Sequence, residues 1–363
     1  MKLLQNISLI LSITMLSINS YNQEIAGIQD TVMQGSDSVK SSSRHGFDFF
    51  ESEEPLQMSL CFNIREFIKS KDNPVYQDAK LTVKTGENDS ISQNIKVKAR
   101  GFMRRTYCSF PPIMLKFKNN EGEIEPIQKK GTVKLVTRCN KSSLFENYVF
   151  KEYLAYRLYN LLTPYSFKTR LVKVNFTDVS KPEKAFVSYG FLIENEDKMA
   201  ERNHAVIIKA MNATQKDMAS MDMTRIAVFN YMIGNTDWSV PYQHNIRIMK
   251  SLDAPSDKAI PVIFDFDYSA IVNAIYAVPF TELPIKDISE RYYMGMCDRD
   301  EEIKTIVDEL NGLKEEFLST INSFDYLSKG DKKCVESYLN SFYESSDYKN
   351  YLINDLNRTC KQF

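Results

Sequence analysis

The residues best equipped for chemistry lie between Ile233 and Ala277: Asn235, Asp237, Asn245, Asp265 and Asp267, all set among apolar runs. Polar side chains in such runs are costly to bury unless they bind something. Val262–Asp267 reads as a strand ending in Asp-Phe-Asp, and a period of two puts Asp265 and Asp267 on one side with Phe266 on the other. Two carboxylates so close raise each other's proton affinity unless a cation sits between them. Hard oxygen ligands of this kind favour magnesium, manganese or calcium over zinc. Asn245 heads a strand over Ile246–Met249 and adds an amide oxygen. Asp237, in a loop closing a helix, is placed to orient or deprotonate a hydroxyl. Phosphoryl transfer from a nucleotide to a hydroxyl needs these parts and little more. Each residue alone has a plainer reading, Asp265 and Asp267 as caps of a turn and Asn235 as a helix end. The set in this order favours a site.

Elements on either side must hold these groups. Leu56–Phe62, Ala79–Lys84, Ile91–Ala99, Ile113–Lys118 and Thr132–Thr137 alternate or run apolar as strands, so the first folded third is expected to be mostly antiparallel sheet. From Lys96 to Lys141 there are twelve Lys and Arg against three Glu, a net of +9. Lys96 with Lys98, and Lys116 with Lys118, share a face at period two, which predicts a positive sheet face suited to phosphate. The bland alternative is a solvated face. Leu144–Leu162 is a helix with Phe145, Tyr148, Val149, Glu152 and Tyr156 on one stripe. A carboxylate on that stripe either wants a cation, with Lys116 and Lys134 the candidates, or lies at the edge of the stripe and reaches water. Arg170–Phe176 and Ala185–Ile193 are two more strands. After Glu194 helices dominate: Met218–Ile233, Ile285–Tyr293, Glu301–Ile321, Lys332–Tyr343 and Tyr348–Leu356. The expected organisation is an α+β, two-lobed fold, with residues 55–194 as the sheet lobe and 195–363 as the helical lobe.

The outer bounds are simple. A chain of 363 residues with net charge −1 can bury sizeable cores, and nothing global in it suggests nucleic acid. Lys2 followed by the apolar run Leu3–Ile18 reads as a signal peptide over residues 1–22, and residues 23–54 read as a disordered linker. No later stretch is apolar enough for a membrane helix. The protein is therefore expected to be exported, to the periplasm, cell surface or medium. Six cysteines then meet an oxidising compartment, with Cys108–Cys139 and Cys334–Cys360 the favoured pairs on proximity. Only three histidines are present and no C-x-x-C, which disfavours zinc.

Several segments carry a resemblance. Arg100-Gly101 after a strand, the helix KEYLAYRLYNLL, YGFLIEN ending a hinge-like strand, GNTDW with a downstream Asn, and FDFD resemble the CotH-type atypical kinases and, more distantly, HipA-like kinases. The resemblance covers most of residues 56–280 and implies a two-lobed protein-kinase-like fold. It implies ATP, or another nucleotide, with Mg²⁺ or Mn²⁺ as cofactor, and an unknown protein or small-molecule hydroxyl as acceptor. Asp237 would be the catalytic aspartate, Asn245 and Asp265 would hold metal, and Asp267, standing where those kinases have a glycine, is expected to join them as the second carboxylate of the pair. Glu152 would pair a phosphate-contacting lysine, Lys116 or Lys134, and Glu194 would end the hinge beside the nucleotide. Asp237 and Asn245 stand eight apart, wider than in those kinases, so a turn at Pro241 is expected to be inserted. A kinase-like fold kept only as an envelope binding module is the alternative. A metal-dependent phosphohydrolase is a weaker third reading.

Overall fold

The computed structural model describes residues 47–117, 131–346 and 349–361. The expected signal peptide and residues 23–46 of the expected linker lie outside them. Seven strands close into a barrel in the order β1-β2-β3-β4-β5-β7-β6: β1 (Leu56–Phe62), β2 (Gln77–Lys84), β3 (Ser90–Ala99), β4 (Ile113–Phe117), β5 (Thr132–Thr137), β6 (Thr169–Asp178) and β7 (Lys181–Ile193). Every pairing is antiparallel except that of β1 with β6, which is parallel and closes the ring. Closure removes the edges that an open antiparallel sheet would expose. The period-two apolar residues point inward: Leu60, Leu81, Val83, Ile95, Val97, Ile113, Leu115 and Leu135 are fully buried.

Phe49 and Phe50 are also buried in this interior, and the Arg170 guanidinium donates to the carbonyls of Phe49 and Glu54. The last part of the segment read as linker is thus packed structure, because two phenyl rings found an apolar cavity to fill.

Two short helices, α1 (Ile64–Lys69) and α2 (Met103–Tyr107), decorate the barrel, and α3 (Ser143–Leu162) leaves it. The Ser142 Oγ accepts the Leu144 N–H at the start of α3, and the chain breaks out just before Pro164. Beyond β7 come α4 (Glu196–Arg202), β8 (Ala205–Ile208), α5 (Ser220–Ile233), β9 (Ile246–Ser251) and β10 (Ile260–Ile263). The last three strands form a small antiparallel sheet ordered β10-β9-β8. Four helices follow: α6 (Asp300–Gly312), α7 (Lys314–Asn322), α8 (Lys329–Ser346) and α9 (Lys349–Asn357). A second core gathers α3, α5, the small sheet and these helices.

Three expectations fail here. Glu301–Ile321, expected as one helix, is broken at Leu313 into α6 and α7. Ile285–Tyr293 is not a helix; residues 281–299 run through turns and bends. The Glu290 carboxylate accepts the N–H groups of Lys286 and Asp287, and Asp287 accepts that of Ser289, so side chains take the bonds a helix would need. Cys360 pairs with Cys297 rather than Cys334, which stays free and exposed on α8, while Cys108–Cys139 forms as expected. The bridge Met296–Lys361 brings the chain end to Cys297, a proximity that sequence distance hides. No helix among the described residues is long and apolar enough to cross a membrane.

Candidate active site

Asp237 and Asn245 meet although they are eight apart, and the reason is a pinched loop. Ser239 and His244 form an antiparallel bridge with both backbone bonds made, at 3.0 and 2.9 Å, leaving Val240–Gln243 as a closed turn. The expected insertion at Pro241 is that turn. With it absorbed, the Asn245 amide donates to the Asp237 carbonyl at 2.8 Å and to Asp237 Oδ2 at 2.9 Å. His244 Nε2 lies 2.6 Å from Asp237 Oδ1. This contact, more than the nearby charges of Asp265 and Asp267, raises the His244 pKa above its usual value, against some burial.

Upstream, α5 ends at Gly234, whose φ of 66° is left-handed and whose absent Cβ would lie 2.2 Å from Tyr338 Oη. A ladder of buried amides then fixes the loop. The Asn235 side chain donates to Asn230 Oδ1 at 2.8 Å, and Asn235 Oδ1 accepts the Asp237 N–H at 3.1 Å. Asn235 is thus a helix-end residue that positions Asp237.

The Asp-Phe-Asp segment is not strand. β10 stops at Ile263, and Asp265 takes a left-handed φ of 68°. Both carboxylates still reach one cleft while Phe266 is fully buried, its ring 4.8 Å from Tyr156 and 6.0 Å from Phe229. The separation expected from strand alternation holds for a different reason: the turn reverses at Asp265 and an aromatic pocket captures Phe266.

Helix α3 holds this loop with side chains four apart. Tyr148 Oη accepts the Ile275 N–H at 3.2 Å, and Tyr156 Oη accepts the Asp265 N–H at 2.8 Å. Between them Glu152, with no exposure, takes a 2.6 Å bond from Arg104 Nη2. Arg104 also donates from Nε to Asp267 Oδ2 at 2.9 Å and approaches the Tyr276 hydroxyl at 3.2 Å. Burial lifts both carboxyls above their ordinary range, against the pull of Arg104; Asp267 and Asp265 add to the rise at Glu152, and Asp265 and Asp237 to that at Asp267. The two acids in turn hold Arg104 fully charged. Arg104 rides on α2, which the Cys108–Cys139 bond ties to the loop before α3.

Arg104 is the residue that sequence reading missed. Its stretch, RGFMRRTYCSFPP, has no periodicity to mark which basic side chain turns inward. The lysines expected in its place are elsewhere. Lys116 points outward from the barrel, exposed, 5.2 Å from the Tyr76 ring, because the inward parity of β4 belongs to Ile113, Leu115 and Phe117. Lys134 sits on β5 beside Ile193, its ammonium 4.6 Å from the Phe264 ring. Burial, then repulsion from Arg100 and Arg247, draws its pKa down to about 7. Glu194 is buried in another corner, where its carboxylate accepts from Arg202 at 3.1 Å and from the Lys168 N–H at 3.0 Å.

The cleft holding Asp237, Asn245, Asp265 and Asp267 has a volume of about 380 Å³, and Arg100, Gly101 and Arg104 form its barrel wall. Glu152, Glu194, Lys116 and Lys134 are not part of its lining. As a metal site the donor set fits a hard ion that brings most of its own ligands: one amide oxygen, the Asp265 carboxylate and the second oxygen of Asp267. Among the described residues no group of three His, Cys, Asp or Glu side chains is arranged to hold a metal unaided.

The chain is thus a mixed α+β protein with a seven-stranded barrel, a helical part and an acidic cleft at Asp237. No family model and no curated protein matches it. Among solved structures it is similar to the Helicobacter pylori proinflammatory kinase CtkA, with TM-score 0.38 and 11% identity over 68% of this chain and 93% of that one. A likeness that slight carries no activity across.

Proposed function

We propose that this protein is an atypical kinase-like phosphotransferase, with the barrel and α3 as one lobe and the remainder as the other. It would use ATP or another nucleotide with Mg²⁺ or Mn²⁺ to modify a hydroxyl on a protein or small molecule. One observation carries the reading: Asp237 and Asn245 are hydrogen-bonded at 2.9 Å in the same cleft as Asp265 and Asp267, although the chain must pinch off a turn to achieve it. In this reading Asp237 orients the acceptor and takes its proton. Asn245, Asp265 and Asp267 would hold the metal, which when bound shields phosphate charge. Arg104 takes the place of the lysine that pairs the helix glutamate, and Arg100 on the cleft wall would meet phosphates, with Lys134 adding charge from beside Phe264. The motif likeness to CotH-type and HipA-like kinases belongs to this proposal. So does export, which the two disulfides support.

A second reading, a binding module without catalysis, has an observation of its own. Both oxygens of Asp237 already have partners, and Arg104 occupies one oxygen of Asp267. Melting temperature with ATP and Mn²⁺, together with transfer of label to a mixed hydroxyl-bearing acceptor pool, separates the two. The proposal expects both a shift and transfer; a shift without transfer selects the binding module.

A further inference from the structure

We propose that the nucleotide lies reversed in this cleft, triphosphate toward the β7–α4 connection and base at the open end, so that the group transferred is the nucleotidyl group. This rests on the nucleotide and metal site proposed above, keeps Asp237 as the base, and replaces phosphoryl by nucleotidyl transfer. Three features carry it.

The first is charge at the inner end, from Arg100 and Arg247 in the lining and from Lys134 outside it against Phe264. Lys134 is beside Ile193, the last residue of β7, and Arg247 is paired with Glu196, the first of α4. Both cations stack on one ring, Phe264, each 4.6 Å from its centroid. Arg100 lines the cleft close by, and among the described residues neither Lys134 nor Arg100 makes a salt bridge. Glu196, paired with Arg247, and Asp265 are the acids that act on this group of cations. Their repulsion, added to burial, already lowers the proton affinity of Lys134. A polyphosphate satisfies such a place and a purine does not.

The second feature is hydrogen bonding at that connection. A base docked against it would need free backbone donors. The Glu194 N–H goes to the Lys168 carbonyl at 3.0 Å, and the Glu194 carboxylate goes to Lys168 and Arg202. Asn195 caps α4 through the N–H groups of Asp197 and Lys198, and its amide holds the Thr132 carbonyl. The Glu194 N–H and the Asn195 side chain, two of the donors a purine could use there, are already engaged.

The third feature is the open end. Phe102 and Tyr242 line the cleft from opposite walls and are 82% and 87% exposed, with Met103 beside them at 57%. Tyr242 is carried there by the inserted turn. Aromatic faces left in water at a cleft mouth are what a flat base stacks on.

In this pose the α-phosphorus is the phosphorus nearest the base, next to Asp237. The acceptor oxygen bonds to it, the bond from the α-phosphorus to the oxygen bridging to the β-phosphate breaks, and diphosphate leaves with that electron pair. The acceptor proton passes to the Asp237 carboxylate.

Photocrosslinking with 8-azido-ATP and Mn²⁺ on the full chain tests the pose without an acceptor. The expected adduct falls on the peptide containing Phe102 and Met103 or the one containing Tyr242. An adduct on Ile193–Glu196 or Phe264 overturns the reversed pose and leaves the phosphotransferase reading standing. Melting with inorganic tripolyphosphate and Mn²⁺ is the second readout. A shift is expected in the parent and in Tyr242→Ala and is lost in Lys134→Met; a shift that survives Lys134→Met overturns the pose. No shift with ATP and no adduct anywhere removes the nucleotide reading itself and the pose with it.

Discussion

The barrel and the cleft loops solve opposite problems with the same chain. In the barrel, alternation sends apolar side chains inward and lysines outward, closure pairs the strand edges, and no described strand residue has a positive φ. In the loops from Gly234 to Asn273, Gln243, Asn245, Asp265 and Asn273 all take left-handed φ, and buried polar groups hold one another. Left-handed backbone at non-glycine residues costs free energy and persists where surroundings over-determine it. The lesson concerns where charge is tolerated. Lys116 on the barrel is solvated and replaceable, whereas Arg104 is enclosed by acids that have no other cation among the described residues.

That contrast can be broken most severely at Arg104. Arg104→Met leaves Glu152 and Asp267 buried together without a cation and should cost about 3–5 kcal/mol in chemical denaturation. The loss should grow as pH rises, because at low pH the stranded carboxyls escape by taking up protons. A loss below about 1 kcal/mol would show that the ion cluster is incidental.

Gly234→Ala tests the loop backbone. A left-handed φ of 66° and an overlap with Tyr338 Oη should together cost about 1–3 kcal/mol. Native-state hydrogen exchange should quicken at Asn235–Asp237 more than in β3 or β4. Equal quickening in both regions would contradict the amide ladder as a local device.

His244 gives a smaller, pH-dependent effect. Its pKa is raised in the folded state by Asp237. The contact therefore stabilises fully below the unfolded value, about 6.5, and is lost as pH rises through the folded value. Against His244→Gln, the parent should melt higher in mild acid and the difference should vanish in alkali. A difference constant across that range would mean that the pair does not titrate. Smallest of all, Lys116→Ala should change stability by no more than about 0.5 kcal/mol and leave any nucleotide-dependent shift intact.

What could be read in advance followed period and punctuation. The barrel strands are legible because period two is strict, and α3 because its stripe recurs every three or four residues. Glu152 stood out for being a carboxylate on that stripe, and the Asp-Phe-Asp segment for its carboxylates around a phenylalanine. Three things were not legible. Closure depends on β1 meeting β6 in parallel, a pairing more than a hundred residues distant. The cation for Glu152 comes from an aperiodic stretch in which Arg100, Arg104 and Arg105 look alike. Lys116 was eligible by charge, but its partner residues fix its strand parity and send it to water. Pattern and charge identify the lobe that supplies a residue; which neighbour turns inward is set by tertiary packing.

The central claim is that Asp237, Asn245, Asp265 and Asp267 form one nucleotide and metal site. Thermal melting of the purified protein with millimolar ATP and Mn²⁺, beside Asp265→Asn, tests it most directly. The account predicts a rise in melting temperature for the parent that Asp265→Asn loses while melting at a similar temperature without ligand. No rise in the parent, or an equal rise in both, would contradict it.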